Sequence, residues 1–226
     1  FHPSLRDLYA RFKENPGFQQ TRGLLRLMRI VVSQLYRGDN PKAKNKYLIH
    51  AYDFDLNDPE MLSAITQVKP SLANAIAHDI ASSGKSVAET VDAALGESHM
   101  QDLAKLILVS SLADVPNALL GLSLQETIGY LCEPGKDIRR VKRALDEFVM
   151  RAWYLHTDRD GRLYFQNTRN LIAELNSLVD SYDNDSARKE LRTFLEEKFK
   201  PNIGDCYQRV LVFPAVDEIE LSEDKV

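Results

Sequence analysis

Apolar residues recur three and four positions apart through most of this chain, so the pattern predicts helices joined by short polar breaks. In HPSLRDLYARFKE, Leu5, Leu8, Tyr9 and Phe12 share one face, Pro3 suits a first helical turn, and NPGF ends the run. QTRGLLRLMRIVVSQLYR follows with a stripe of Leu24, Leu27, Met28, Val31 and Leu35, while Arg22, Arg26 and Arg29 project elsewhere. GDNPKAKNK reads as a loop, and the aromatic and β-branched content of YLIHAYDF predicts a short strand. Asp58, Pro59 and Glu60 signal the start of a helix through PEMLSAITQV, and SLANAIAHDIAS predicts another, apolar on Leu72, Ala75, Ile76 and Ile80.

The pattern changes near Met100. QDLAKLILVSSLA predicts a buried helix, GLSLQETIGYLC a helix with Ser123 and Glu126 as its capping box, and DIRRVKRALDEFVMRAWYL a third helix. On that third helix Ile138, Val141, Leu145, Phe148 and Val149 lie opposite Arg139, Arg140, Lys142 and Arg143. Two aromatic-rich strands then flank Asp160-Gly161, a hairpin signal. Three helices followed by a hairpin is the order of a winged helix, with the basic helix in the recognition position and Arg159 and Arg162 on the wing. Such a module contacts duplex DNA in some proteins and another protein in others. Beyond it, TRNLIAELNSLVDSY and SARKELRTFLEEKF read as amphipathic helices, and YQRVLVFPAV as a strand that opens a further domain.

Composition narrows the function classes. With 226 residues, 44% apolar and 27% charged, the chain has room for one large or two small domains, and two are expected. A formal charge of −4 argues against a protein that coats nucleic acid, although a local basic face is compatible with it. Neither a membrane span nor a signal peptide is recognisable, so the cytoplasm is the expected location. Cys132 and Cys206 lie far apart without a Cys-x-x-Cys pair and read as reduced thiols. A start at Phe1 without methionine and a finish on DEIELSEDKV suggest a piece of a larger polypeptide.

Three motif-like stretches are weak. Gly84-Lys85-Ser86 ends like a phosphate-binding loop, but the glycine required five positions earlier is Asp79 and the approach is helical. A left-handed cap at Gly84 and a Ser86/Glu89 capping box account for those residues without a nucleotide. DFDLND lacks the glycine and glutamate of a calcium loop, having Asp58 and Ala64 at those positions. His78-Asp79 could begin a metal-dependent hydrolase dyad, but no other histidine stands at a ligand spacing.

Four strings, FHPSL at Phe1, GFQQTRGLLRL at Gly17, GLSLQETIGYLCEPGKD at Gly121 and WYLHTDRDGRLYFQNTRNL at Trp153, together resemble the large prokaryotic P-loop ATPases known as domain of unknown function 499. Members of that family occur in phage-defence and DNA-modification settings, and the resemblance extends to about Leu178. It implies a mainly α fold: a helical AAA+-type lid over 1–98, a winged-helix domain with a small β-hairpin over 99–182, and a helix and strand over 183–226 leading into a next domain. It also implies that ATP and magnesium are held by an N-terminal P-loop core outside this chain, the expected partner, so the chain itself would bind no cofactor and catalyse nothing. GLLR is similar to the Gly-x-x-Arg of lid helices, which makes Arg26 the nucleotide-sensing candidate and Arg22 its substitute; pairing of these arginines with Asp7 or Glu14 is the structural alternative. For Arg139, Arg140, Lys142, Arg143, Arg159 and Arg162 the open choices are duplex DNA and a protein partner, and a stand-alone DNA-binding module is the competing function.

Overall fold

The computed structural model describes residues 1–38, 42–96, 99–134, 136–200 and 211–214. These residues are mainly helical, with one small two-stranded antiparallel sheet.

α1 (Pro3–Phe12) starts where the His2 ring accepts from the Ser4 amide and Pro3 fills the first turn. Leu8 and Phe12 enter the core, and Phe12 meets Phe18 edge-on at 5.1 Å between ring centres. The loop carrying Phe18 folds back over α2 (Gln20–Tyr36) at Gly23, where an added Cβ would sit 2.0 Å from the Phe18 carbonyl oxygen. α3 (Pro59–Val68) is capped by Asp58, as its sequence predicts. The helix expected over SLANAIAHDIAS is present over 70–80 and changes type along its length: a 3-10 turn at Pro70–Leu72, one α turn, α4 (Ala73–Ala75), and a π-helical turn at Ile76–Ile80. Residues 47–54 form no strand; Tyr52 and Phe54 are buried from a turn held by the Asp53 carboxylate, which accepts from the His50 amide at 2.8 Å, while Tyr47 stays exposed.

α5 (Val87–Leu95) and α6 (His99–Ser110) follow, and α6 is the central helix of the first unit, with eight of its residues buried. It packs against α1, α5, α7 (Leu124–Leu131), α8 (Ile138–Arg151) and the hairpin. α8 buries Val141, Ala144, Leu145 and Phe148, while Ile138 and Val149, expected on that face, stay exposed at its margins. β1 (Leu155–Thr157) pairs with β2 (Leu163–Phe165), and Leu122, between α6 and α7, pairs with Leu163 through two backbone hydrogen bonds of 3.0 and 2.9 Å.

Residues 1–176 form one compact unit whose apolar core runs from Leu8 to Phe165, continuous through the boundary expected at 98; residues 177–226 form the second. α9 (Leu171–Ser181) crosses from the first unit into the second, and α10 (Asn184–Lys198) lies within the second. Of the strand expected over YQRVLVFPAV, residues 211–214 are described and carry no strand; the rest, like Cys206, lies outside the described residues. No described helix is long and apolar enough to cross a membrane.

Candidate functional site

The exposed side of α2 is the first candidate. Arg22, Leu25, Arg26 and Arg29 follow one another at helical spacing and all are exposed, with Leu25 retaining 65% of its surface. Arg29 is ion-paired to Glu60 of α3. Arg26 instead donates to the neutral amide of Gln67 at 3.3 Å. The carboxylates expected to compete for these arginines are engaged elsewhere: Asp7 holds Arg6 at 3.0 Å, and Glu14 accepts from Gln20 at 3.4 Å. Beside this face, Leu5, Tyr9, Leu24 and Met28 line an apolar groove of about 460 Å³ between α1 and α2.

The first half of α8 is the second candidate. Arg139, Arg140, Lys142 and Arg143 are exposed there, close to the positive end of the helix dipole, where cations weaken a helix. Arg139 also reaches the cap residue Asp137 at 3.4 Å. Arg159 is exposed in the hairpin turn. Arg162, expected beside it on the wing, turns inward instead: it pairs with Glu126 at 2.7 Å and donates to the Leu120 and Gly121 carbonyls at 3.2 and 2.9 Å. The physical reason is Glu126 itself. That carboxylate completes the capping box of α7 with Ser123 and draws in two guanidiniums, Arg162 and Arg11 of α1 at 3.1 Å. Burial pushes the Glu126 carboxyl up, but the Ser123 amide and the two arginines outweigh it and hold it below the usual range.

Residues 82–86 do form a concave set of amide donors, and its occupant is the chain's own Glu89. Glu89 Oε2 accepts from the amides of Ser82, Gly84 and Ser86 at 2.9, 2.9 and 3.2 Å and from Ser86 Oγ at 2.8 Å; Oε1 accepts from Asn57 at 2.7 Å. The Ser86/Glu89 capping box is present as expected. Gly84, at a φ of +89°, serves this loop and not the end of the preceding helix, which closes at Ile80. A phosphate would meet a carboxylate already seated on its donors.

His78 and Asp79 come together as a structural pair. Asp79 is fully buried by the π-helical turn and accepts from the amides of Trp153 and Tyr154 at 3.0 and 2.7 Å and from His78 Nδ1 at 2.7 Å. His78 stacks on Trp153 at 4.3 Å, and Arg169 lies over the same indole at 5.1 Å. With its oxygens occupied by backbone, Asp79 fastens the start of the hairpin to the π-helical turn.

A polar cluster that sequence patterns missed joins the 47–54 turn to the connection before α8. Tyr52, fully buried, donates to Glu133 at 2.9 Å; His50 Nε2 faces the same carboxylate oxygen at 3.0 Å; Lys136 reaches Asp102 at 3.3 Å and lies over the Tyr52 ring. His2 stacks on His50 at 4.2 Å, and burial, followed by the nearby His50, lowers its pKa. None of these residues shares a spacing motif, and only the turn brings them together. Among the described residues no group of three or more His, Cys, Asp or Glu side chains is placed to hold a metal ion. No protein-family model, curated protein or solved structure matches the chain.

Proposed function

We propose that this chain is a non-catalytic regulatory portion of a cytoplasmic P-loop ATPase, a helical lid carrying a nucleotide-sensing arginine joined to a winged-helix interaction module. The observation that carries it is the state of Arg26. An exposed guanidinium held by one long bond to a neutral amide loses little on leaving it, and a phosphate offers two charge-assisted bonds in return. Arg29, three residues on, already faces a carboxylate, Glu60. The neighbouring apolar groove offers surface for a docked core, which would supply ATP and magnesium. The resemblance to the ATPase family, including its phage-defence and DNA-modification settings, supports the same reading. The order α6, Leu122 bridge, α7, α8, β1, β2 supports the winged-helix assignment, because an extended residue between the first two helices pairs onto the second hairpin strand.

In the full ATPase polypeptide, Arg26→Ala lowers ATP hydrolysis at least about tenfold, while Arg29→Ala stays near the parent rate. Equal rates for the Arg26 variant and its parent would remove the sensor role.

A second reading, a module that grips duplex DNA, draws on α8. Lys142 and Arg143 lie exposed beside one another on α8, a placement that favours an external anion. The overall charge is no obstacle, since residues 1–176 carry 22 Lys and Arg against 21 Asp and Glu, leaving 7 against 12 for the rest. Duplex affinity falling steeply between about 50 and 200 mM salt, and weakened by Lys142→Ala with Arg143→Ala, supports this module; no binding at the lower salt leaves the lid reading alone.

A further inference from the structure

Two imidazole rings stack where the start of α1 meets the 47–54 turn, and their nitrogens have opposite duties. His50 is buried, with Nδ1 facing the Tyr130 carbonyl at 3.2 Å and Nε2 facing Glu133 Oε1 at 3.0 Å. Both partners are acceptors, so the ring fits its site as the imidazolium, donating from both nitrogens. His2 lies over it at 4.2 Å with 16° between the planes, and its Nδ1 accepts from the Ser4 amide at 3.2 Å as the cap of α1. An accepting nitrogen carries no proton, so this second ring fits as the neutral form. Ser4 is fully buried, and its amide has no water to turn to if the ring stops accepting. The His2 amide also donates to the Ile49 carbonyl at 2.8 Å, which ties the two segments at the backbone as well as at the rings.

We propose that the His2–His50 stack is an acid-released catch: a proton taken up at His2 Nδ1 ends the capping bond, sets cation on cation, and loosens the start of α1 from the turn. The charges around the pair fix the direction. Glu133, from the connection after α7, and Asp7, on α1 itself, favour the proton on His2; burial first, then His50 and the Phe1 amino group, oppose it and prevail, so the pKa of His2 lies below the ordinary 6.5. The other groups facing the pair are engaged with one another. Tyr52 donates to Glu133 at 2.9 Å, Tyr130 donates to Asp7 at 3.4 Å, Lys46 holds Asp53, and Lys136 holds Asp102. Because the folded chain resists a proton that the unfolded chain accepts, the catch is closed above about pH 6.5 and weakens as pH falls below it. What it governs is the groove beside α2. His2, Leu5 and Tyr9 form the α1 wall of that groove and Leu24 and Met28 its α2 wall, so acid loosens one wall and leaves the other in place.

A nuclear magnetic resonance titration of the full 226-residue chain, from about pH 8 to about pH 4.5, tests this. The His2 ring takes its proton below pH 6.5, and in the same step the Ser4 amide loses at least about tenfold of its hydrogen-exchange protection and the cross-relaxation between the two rings disappears. The amide of Ile30, buried in α2, keeps its protection. His2→Asn supplies a cap that does not titrate, so Ser4 protection stays constant over the same range. His50→Gln removes the facing cation, and the His2 midpoint moves up toward 6.5. A His2 midpoint at or above 6.5, a Ser4 amide indifferent to the proton on His2, or an equal loss at Ile30 overturns the proposal. So does a Ser4 response that persists in folded His2→Asn, or a His2 midpoint unmoved in folded His50→Gln. Should either variant fail to fold, the wild-type midpoint and the Ser4 and Ile30 amides decide alone.

Discussion

Replacing Glu89 by Gln removes one charge from a site built around it, and the effect on stability has a size and a pH signature. Burial alone would raise this carboxyl, yet hydrogen bonds from Asn57, Ser82 and Ser86 outweigh it and hold its pKa at about 2, against 4.5 for a free glutamate. The difference of about 2.5 units corresponds to about 3 kcal/mol favouring the ionised, folded form. Because the folded pKa lies below the unfolded one, this stabilisation is fully present above about pH 4.5 and is lost as pH falls toward 2. At pH 3 about 2 of the 3 kcal/mol have gone. Glu126 and Asp58 are also held low, so the wild-type acid slope is not Glu89's alone. The difference between wild type and Glu89→Gln isolates it. Urea denaturation followed by the fluorescence of Trp153, the single tryptophan, is expected to give a gap of about 3 kcal/mol at pH 7 that narrows to about 1 kcal/mol at pH 3. A gap equal at the two pH values, or below about 1 kcal/mol at pH 7, would show that the amide cradle does not depend on the charge it encloses.

Asp79→Ala strands the part-buried Trp153 amide and the buried Tyr154 amide and is expected to cost at least about 3 kcal/mol, with faster hydrogen exchange at those two amides; a loss under about 1 kcal/mol contradicts the fastening role. Gly121 has a φ of +72° and would place a Cβ 2.3 Å from the Leu163 carbonyl oxygen, so Gly121→Ala is expected to lower stability by about 2–4 kcal/mol in thermal or urea melts. Gly129 lies within α7 with open space at its Cβ position, and Gly129→Ala is expected to gain up to about 1 kcal/mol, so equal effects at the two glycines would contradict both.

Local chemistry was legible in the sequence and long-range chemistry was not. The Ser86/Glu89 and Ser123/Glu126 capping boxes and the Asp58 cap depend on residues three apart or fewer, and all three are present. The hairpin around Asp160-Gly161 depends equally on near neighbours. By contrast, the second use of each capping glutamate is invisible to spacing. Glu89 gathers Asn57 from 32 residues away, and Glu126 gathers Arg11 from 115 residues away. The strand expected over 47–54 failed for the same reason: Tyr52 serves a tertiary cluster, under Lys136 and against Glu133, so its β-propensity measured burial and not backbone conformation. The helix expected over 71–82 forms over 70–80, but its change from 3-10 to α to π turns was not legible, nor were the backbone partners of the buried Asp79, which lie 74 and 75 residues further on.

The arginines sort by what the carboxylates need. Glu126 is partly buried and takes Arg11 and Arg162, whose side chains keep only 12% and 15% of their surface. These two are structural, because releasing either would leave a partly buried charge undercompensated. Arg29 answers Glu60 at the surface, where a pair contributes little and either member is replaceable. What remains is a set that the fold does not require: Arg26 on a neutral amide, and Lys142 and Arg143 exposed on the second turn of α8. A charge that stabilises nothing within its own fold still carries the cost of self-repulsion, which an anion from outside would relieve. That asymmetry directs the phosphate-sensing and DNA-gripping readings to these residues and away from Arg162, which sequence position alone had grouped with them.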